Sequence, residues 1–134
     1  MRDRLERIWR AGVAACLPER VLAPHWPAPP RGRVIVLALG KAAAGMARAA
    51  ERHFGSRAEG VAVVPRGVEA DLERIALLGA AHPLPDSSSV VAGERVLELA
   101  AGASADDLVM VLLSGGASAL ACLPGEGLAL ADKQ

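Results

Sequence analysis

Residues 34–41 read Val34-Ile35-Val36-Leu37-Ala38-Leu39-Gly40-Lys41, an apolar run that ends at a glycine and a lysine. A continuous apolar run of this length, rich in β-branched residues, is typical of a strand buried on both faces of a parallel sheet. The residues that follow place apolar side chains on one helical face, which predicts a helix over about residues 41–54. The stretch therefore indicates a strand followed by a crossover helix.

The same alternation continues along the chain. Further strands are predicted at residues 61–64, 75–80 and 108–113, with a turn at 65–67 and a helix that Asp86 caps. Strands that alternate with helices at this spacing form a parallel sheet with helices on both faces. We therefore predict that residues 1–134 form an α/β domain, a Rossmann-like αβα sandwich with a parallel sheet.

The two ends of the chain give different signals. The first residues predict an amphipathic helix, with Asp3 and Glu6 placed as a capping box. The proline-rich segment 24–30 predicts an extended crossing, in which Trp26 anchors the loop to the core. Residues 128–134 resemble the opening of another helix but carry neither a glycine cap nor a proline stop. We therefore expect a domain truncated at its carboxyl end.

Composition excludes several classes of function. The 134 residues include 15 basic and 15 acidic side chains, so the broad basic surface that binds nucleic acid is not expected. The longest apolar runs fall far short of the ~20 residues of a membrane span, and the charged amino terminus does not fit a secretory signal. We expect a cytoplasmic protein in which Cys16 and Cys122 are free, buried thiols.

The loop Gly40-Lys41-Ala42 comes directly after the first predicted strand. In parallel sheets, ligands bind beyond the carboxyl ends of the strands. Free N–H groups and the dipole at a helix start attract an anion, and the Lys41 ammonium adds positive charge there. The loop is not a Walker A motif, because Ala42 replaces the hydroxyl residue that would hold magnesium. The alternative is that Lys41 is a solvated lysine at a helix end.

Two further loops also follow predicted strands. In Ser114-Gly115-Gly116-Ala117-Ser118, paired glycines let main-chain amides approach a ligand closely, and two hydroxyls add donors for a phosphate or carboxylate. The alternative is a tight turn with a serine cap. In the 81–86 loop, His82 places an imidazole at a strand end, although simple loop architecture is the alternative there.

Residues 40–47, 79–86, 113–120 and 128–134 together resemble the amino-terminal domain of the class II glycerate kinases, the MOFRL family. The resemblance implies phosphorylation of D-glycerate at its 2-hydroxyl by ATP with Mg²⁺, giving 2-phosphoglycerate. It implies a second, carboxyl-terminal domain that closes the site. The resemblance matches Lys41 to the family's active-site lysine and matches four residues to its glycine-rich loop, which are Ser114, Gly115, Gly116 and Ser118. We expect these loop residues and Gly40 to bind substrate or phosphate. The chemistry of an imidazole makes His82 a candidate to orient the substrate hydroxyl.

The sequence departs from the pattern of this family at two positions. The family usually has a third glycine where Ala117 stands and a hydroxyl residue where Ala129 stands; we expect a negative φ at Ala117. No complete metal site can be assembled from these residues, and we expect the chain alone to be inactive. Two alternatives stay open: a non-catalytic module that binds a sugar phosphate or hydroxy acid, and a hydroxypyruvate reductase, although no dinucleotide fingerprint is present.

Overall fold

The computed structural model describes all residues, 1–134, as alternating helices and strands. The helices are α1 (Arg2–Ala15), α2 (Pro18–Val21), α3 (Ala43–Phe54), α4 (Ser87–Ala101) and α5 (Ala117–Leu120). The strands are β1 (Val34–Leu39), β2 (Ala58–Pro65), β3 (Ile75–Ala80) and β4 (Leu108–Leu113). Single 3₁₀ turns occupy Ala23–His25, Gly55–Arg57 and Leu130–Asp132. None of the helices is long and apolar enough to cross a lipid bilayer.

The strands form one parallel sheet in the order β3-β2-β1-β4. The chain builds outward from β1 through β2 to β3 and then returns to place β4 on the other side of β1. A topological switch point therefore lies between β1 and β4, where ligands bind in open α/β sheets. The predicted parallel α/β sheet is confirmed.

Helices cover both faces of the sheet, which explains why β1 is apolar throughout. Val34, Val36 and Ala38 pack in one core cluster with the inward face of α3. Ile35 and Leu37 pack in a second cluster with residues of α4 and α5. Since successive side chains of a strand point to opposite faces, both sets are removed from water. The predicted αβα sandwich is confirmed.

Small residues allow these layers to approach closely. Ala47 and Ala50 of α3 are fully buried against the sheet. Within the sheet, Gly60 of β2 has a φ of +142°, and a Cβ there would overlap the carbonyl oxygen of Val36 in β1. Only glycine fits such a position without strain. The alanine- and glycine-rich composition is thus a requirement of the packing.

The amino-terminal helix forms where the sequence predicts it, but two details differ. The predicted capping box is wrong, because Asp3 makes no cap and Glu6 pairs instead with Arg10 at 2.7 Å. No residue of α1 is buried, and Cys16 beside it is exposed rather than buried. The cause is that no other element of the chain covers the apolar face of α1. Cys122 is buried, and both cysteines are free.

Trp26 anchors its loop as predicted. Its ring is stacked on that of His53, with centroids 5.2 Å apart, and is nearly perpendicular to that of Phe54, with centroids 5.5 Å apart. The helix expected in residues 128–134 is only the single 3₁₀ turn at Leu130–Asp132. Asp132 closes that turn by accepting from the N–H of Ala129.

The strand β4 forms one edge of the sheet. Its inner neighbour β1 pairs with it over all six residues, whereas no strand pairs with its outer side. Val111 and Leu113 are 55% and 64% exposed. An apolar groove of about 400 Å³ lies beside Val111, between the sheet and α4.

Candidate functional site at the switch point

The loops after β1 and β4 are bonded directly to each other. The N–H of Lys41 donates to the carbonyl oxygen of Gly115 at 2.9 Å. The N–H of Ala42 donates to the hydroxyl oxygen of Ser114 at 3.0 Å, and that hydroxyl donates to the carbonyl oxygen of Leu39 at 3.3 Å. The two loops that the sequence singled out therefore form one unit at the switch point.

Gly40 makes this close approach possible. Its φ is +120°, a conformation that side chains rarely adopt, and a Cβ at this position would overlap the backbone and hydroxyl of Ser114. A larger residue would push the two loops apart. The packing of the two loops thus requires a glycine at position 40. A ligand-binding role for Gly40 stays a prediction.

The glycine-rich loop leaves main-chain donors without partners. The N–H groups of Gly115, Gly116 and Ser118 donate to no acceptor in the chain. Gly116 has a φ of +92° and directly precedes α5. Successive free N–H groups beside a left-handed residue form a concave nest that binds anions. The arrangement suits a carboxylate or phosphate oxygen.

The side chains of Lys41 and His82 both lie close to Gly116, the left-handed residue of this nest. A Cβ placed on Gly116 would lie 2.8 Å from Cδ2 and Nε2 of His82 and 3.7 Å from Cε of Lys41. The side chain of Lys41 is exposed and takes part in none of the ion pairs of the chain. An ammonium, an imidazole and free amide donors thus meet around one glycine, which favours binding of a small anion.

The two serines of the loop differ in what they can offer a ligand. The Ser114 hydroxyl already bonds to Leu39 and Ala42, so its observed role is to join the loops. Ser118 is exposed, and its hydroxyl has no partner in the chain. Ala117 between them has a negative φ, as expected, because no residue other than glycine has a positive one. Its methyl group therefore does not strain the loop.

The chain holds no cluster of carboxylates, histidines or cysteines that could bind a metal ion. No three such side chains come together anywhere in residues 1–134. Mg²⁺ prefers carboxylate and phosphate oxygens, and the groups around Gly116 are donors instead. The residues present fit phosphate oxygens but do not by themselves fit the Mg²⁺ that the resemblance implies.

The sequence predicts Arg66 only as part of the turn at residues 65–67. In the structure its Nη2 donates to Oδ2 of Asp86 at 2.6 Å and to the Ser88 hydroxyl at 2.9 Å. Hydrogen bonds from Ser88 and Arg66 lower the pKa of Asp86 to about 2. The rule that pointed to the other loops would also have found Arg66, because it directly follows a parallel strand.

A second carboxylate with a lowered pKa, that of Asp107, lies at the amino ends of the strands. Asp107, just before β4, accepts from Nη2 of Arg33 at 2.8 Å and from the N–H of Ser104 at 2.9 Å. The Arg33 side chain is the main reason that the pKa of Asp107 is held well below its usual range. This pair fastens the amino ends of β1 and β4 and lies away from the nest.

The chain is thus a parallel αβα domain of the doubly wound class, with a lysine and a glycine-rich loop of free main-chain donors at its switch point, the place where ligand sites lie in such sheets. Residues 4–134 match the family described as a domain of unknown function, DUF4147, and the chain belongs to that family.

Named relatives carry two kinds of description. The chain is 44% identical over 102 residues to the glycerate 2-kinase of Pyrococcus horikoshii, covering 76% of this chain and 23% of that protein. It is 37% identical over 134 residues to an Agrobacterium vitis protein named "Putative hydroxypyruvate reductase", covering 99% and 31%. The crystal structure of glycerate kinase from Thermotoga maritima matches it with a TM-score of 0.83 and 37% identity, over 94% of this chain and 31% of that one.

These matches confirm the resemblance to the amino-terminal domain of class II glycerate kinases. They also set its extent, because the chain spans about a third or less of the length of these relatives.

Proposed function

We propose that this chain supplies one wall of the active site of a glycerate 2-kinase, which phosphorylates D-glycerate at its 2-hydroxyl with ATP. The proposal rests on one observation: the Lys41 ammonium has no partner in the chain and lies beside the free N–H groups of Gly115 and Gly116. Relatives named glycerate kinase support the choice of substrate. The carboxyl-terminal domain of such a kinase supplies the opposite wall.

The chemistry of phosphoryl transfer fits these residues. The reaction needs positioning and positive charge around the transferred group more than it needs covalent chemistry. Lys41 places one charge near the nest, and the N–H groups hold oxygens of either the substrate carboxylate or the nucleotide phosphates. His82, whose Nε2 faces Gly116, orients the substrate hydroxyl. ATP supplies the phosphoryl group, and no step is assigned to Mg²⁺ because these residues lack its ligands.

A chimera tests this proposal directly. Residues 1–134 replace the corresponding part of the Thermotoga maritima glycerate kinase, whose fold matches closely. We expect the chimera to convert D-glycerate and ATP to 2-phosphoglycerate, and the 134-residue chain alone to show no conversion above a heat-killed control. A folded chimera, judged by circular dichroism, that binds D-glycerate without turnover would favour the non-catalytic binding module. Turnover by the chain alone would contradict the proposal that the chain supplies only one side of the active site.

A reductase is the second candidate, because two relatives from Agrobacterium vitis carry the name "Putative hydroxypyruvate reductase", and one of them aligns with 99% of this chain. Its weakness is that the loop after β1 lacks the glycine spacing of a dinucleotide site. Oxidation of NADH or NADPH by the chimera in the presence of hydroxypyruvate, without phosphorylation of glycerate, would favour this candidate over the kinase.

A further inference from the structure

Arg66 brings a second cation to the carboxyl ends of the strands, where Lys41 also lies. It directly follows β2, the neighbour of β1, and its N–H donates to the carbonyl oxygen of Ala80 at 3.1 Å. Only Nη2 of its guanidinium has partners, which are Asp86 and Ser88. The side chain therefore joins the end of β2 to the start of α4.

A continuous set of hydrogen bonds leads from Arg66 towards His82. The Ser88 hydroxyl that accepts from Arg66 donates to Oδ1 of Asp86 at 2.5 Å. The same hydroxyl oxygen accepts from the N–H of Ala81 at 3.2 Å. Because Ala81 immediately precedes His82, these bonds fix the point from which the imidazole projects.

No hydrogen bond within the chain holds the His82 imidazole ring itself. The ring nevertheless lies against Gly116. Its place beside the nest is therefore set by the path of the 81–86 loop. That path is held at Ala81 by the Ser88 hydroxyl, which Arg66 and Asp86 hold in turn. Farther along the loop, the Gln134 side chain donates to the carbonyl oxygen of Pro85 at 2.7 Å.

We propose that Arg66 is a positioning residue of the site: by holding Asp86 and Ser88 it fixes the start of the 81–86 loop, and so holds the His82 imidazole against Gly116. This inference rests on the proposed function, because it assigns His82 a role towards the bound substrate. The Arg66 and Asp86 side chains are 60% and 40% exposed, so the pair contributes little to folding. Its effect on the site can thus be separated from stability.

Arg66→Ala is the test variant, and Arg95→Ala is its matched control. Arg95 pairs with Glu98 at the same 2.6 Å and is also largely exposed, but both residues lie within α4. In the 134-residue chain, NMR follows hydrogen exchange at the Ala81 amide and the imidazole signals of His82. We expect Arg66→Ala to speed that exchange and displace those signals, Arg66→Lys to restore part of both, and Arg95→Ala to change neither.

Titration with D-glycerate, and separately with inorganic phosphate, then tests the site through the Gly115 and Gly116 amide signals. We expect Arg66→Ala to weaken binding at least about fivefold, since a small misplacement of a positioned group is costly. Unchanged binding, with melting temperatures equal, would overturn the inference and leave Arg66 a structural residue. If neither probe binds the unmodified chain, this wall alone does not hold the ligand and the chimera decides the proposed function. The His82 signals then decide the inference: displacement supports positioning, and no displacement overturns it.

Discussion

The main-chain N–H of Lys41 donates to the carbonyl oxygen of Gly115 at 2.9 Å, so the lysine that follows β1 is fixed by the loop that follows β4. This bond involves no side-chain atom. The backbone at position 41 is therefore set by the fold, while the ammonium stays free to meet a ligand. Side-chain substitutions of Lys41 can test function without dismantling the two loops.

Lys41→Met in the chimera is expected to lower turnover by roughly a hundredfold or more, because a positioned charge near a phosphoryl transition state contributes a few kcal/mol. The free energy of unfolding should change by less than about 0.5 kcal/mol, since the side chain is exposed and unpaired. Steady-state kinetics and a melting curve measure both. Lys133→Met, at the other lysine of the chain, is the control. More than half of the turnover left in Lys41→Met would contradict a catalytic role.

Gly116→Ala should destabilise the chain by about 1–3 kcal/mol, because φ is +92° and the new Cβ would lie 2.8 Å from the His82 ring. Gly115→Ala in the same loop should change stability by less than about 1 kcal/mol, since nothing lies within 4 Å of its Cβ position and its φ is not positive. Urea unfolding of the two variants gives the comparison. Equal losses would show that the loop is more adaptable than the geometry indicates.

Ala117→Gly is expected to cost at most about 1 kcal/mol, through the greater conformational freedom of glycine in the unfolded chain. The expectation follows from the negative φ at this position, where the methyl group causes no strain. Thermal unfolding of the variant beside the unmodified chain measures it. A higher melting temperature for the glycine variant would mean that the alanine is strained after all.

Asp107 should make the chain sensitive to acid. Its pKa is lower in the folded chain than in the unfolded one, so the folded state favours the ionised carboxylate. The resulting stabilisation is complete well above the unfolded value of about 4 and is lost as the pH falls below it. The unfolding free energy of Asp107→Asn should therefore depend less on pH below about 4.

Asp106→Asn provides the neighbouring control for this measurement. The Asp106 side chain is exposed and takes part in none of the side-chain hydrogen bonds that hold Asp107. Its substitution should leave the acid limb of the stability curve as steep as in the unmodified chain. A limb that flattens equally in both variants would remove Asp107 as the cause.

Much of the fold could be predicted from the sequence because its signals are local. The apolar run of β1 identified a strand buried on two faces, and alternation with helices identified the parallel sheet. The exposure of α1 could not be predicted, since an amphipathic pattern shows that a helix has an apolar face but not whether another element covers it.

Part of the candidate site could also be predicted from the sequence. Ligands bind at the carboxyl ends of parallel strands, and this rule selects the loops of Lys41, His82 and Gly116, which the structure brings together. The sequence could not show that Ser114 uses its hydroxyl to join two loops, or that Arg66 reaches Asp86. Those bonds link residues far apart in the chain and depend on the orientation of side chains in three dimensions.

The outer side of β4 has a consequence for how the chain behaves at high concentration. Between Leu108 and Leu113 there is neither a charged residue nor a proline, and the main-chain groups on that side pair with no strand. Uncharged, β-prone edges of this kind recruit strands from other molecules and seed aggregates. We therefore expect the isolated chain to aggregate at high concentration. Val111→Lys, at an exposed position of β4, is the substitution best placed to prevent this.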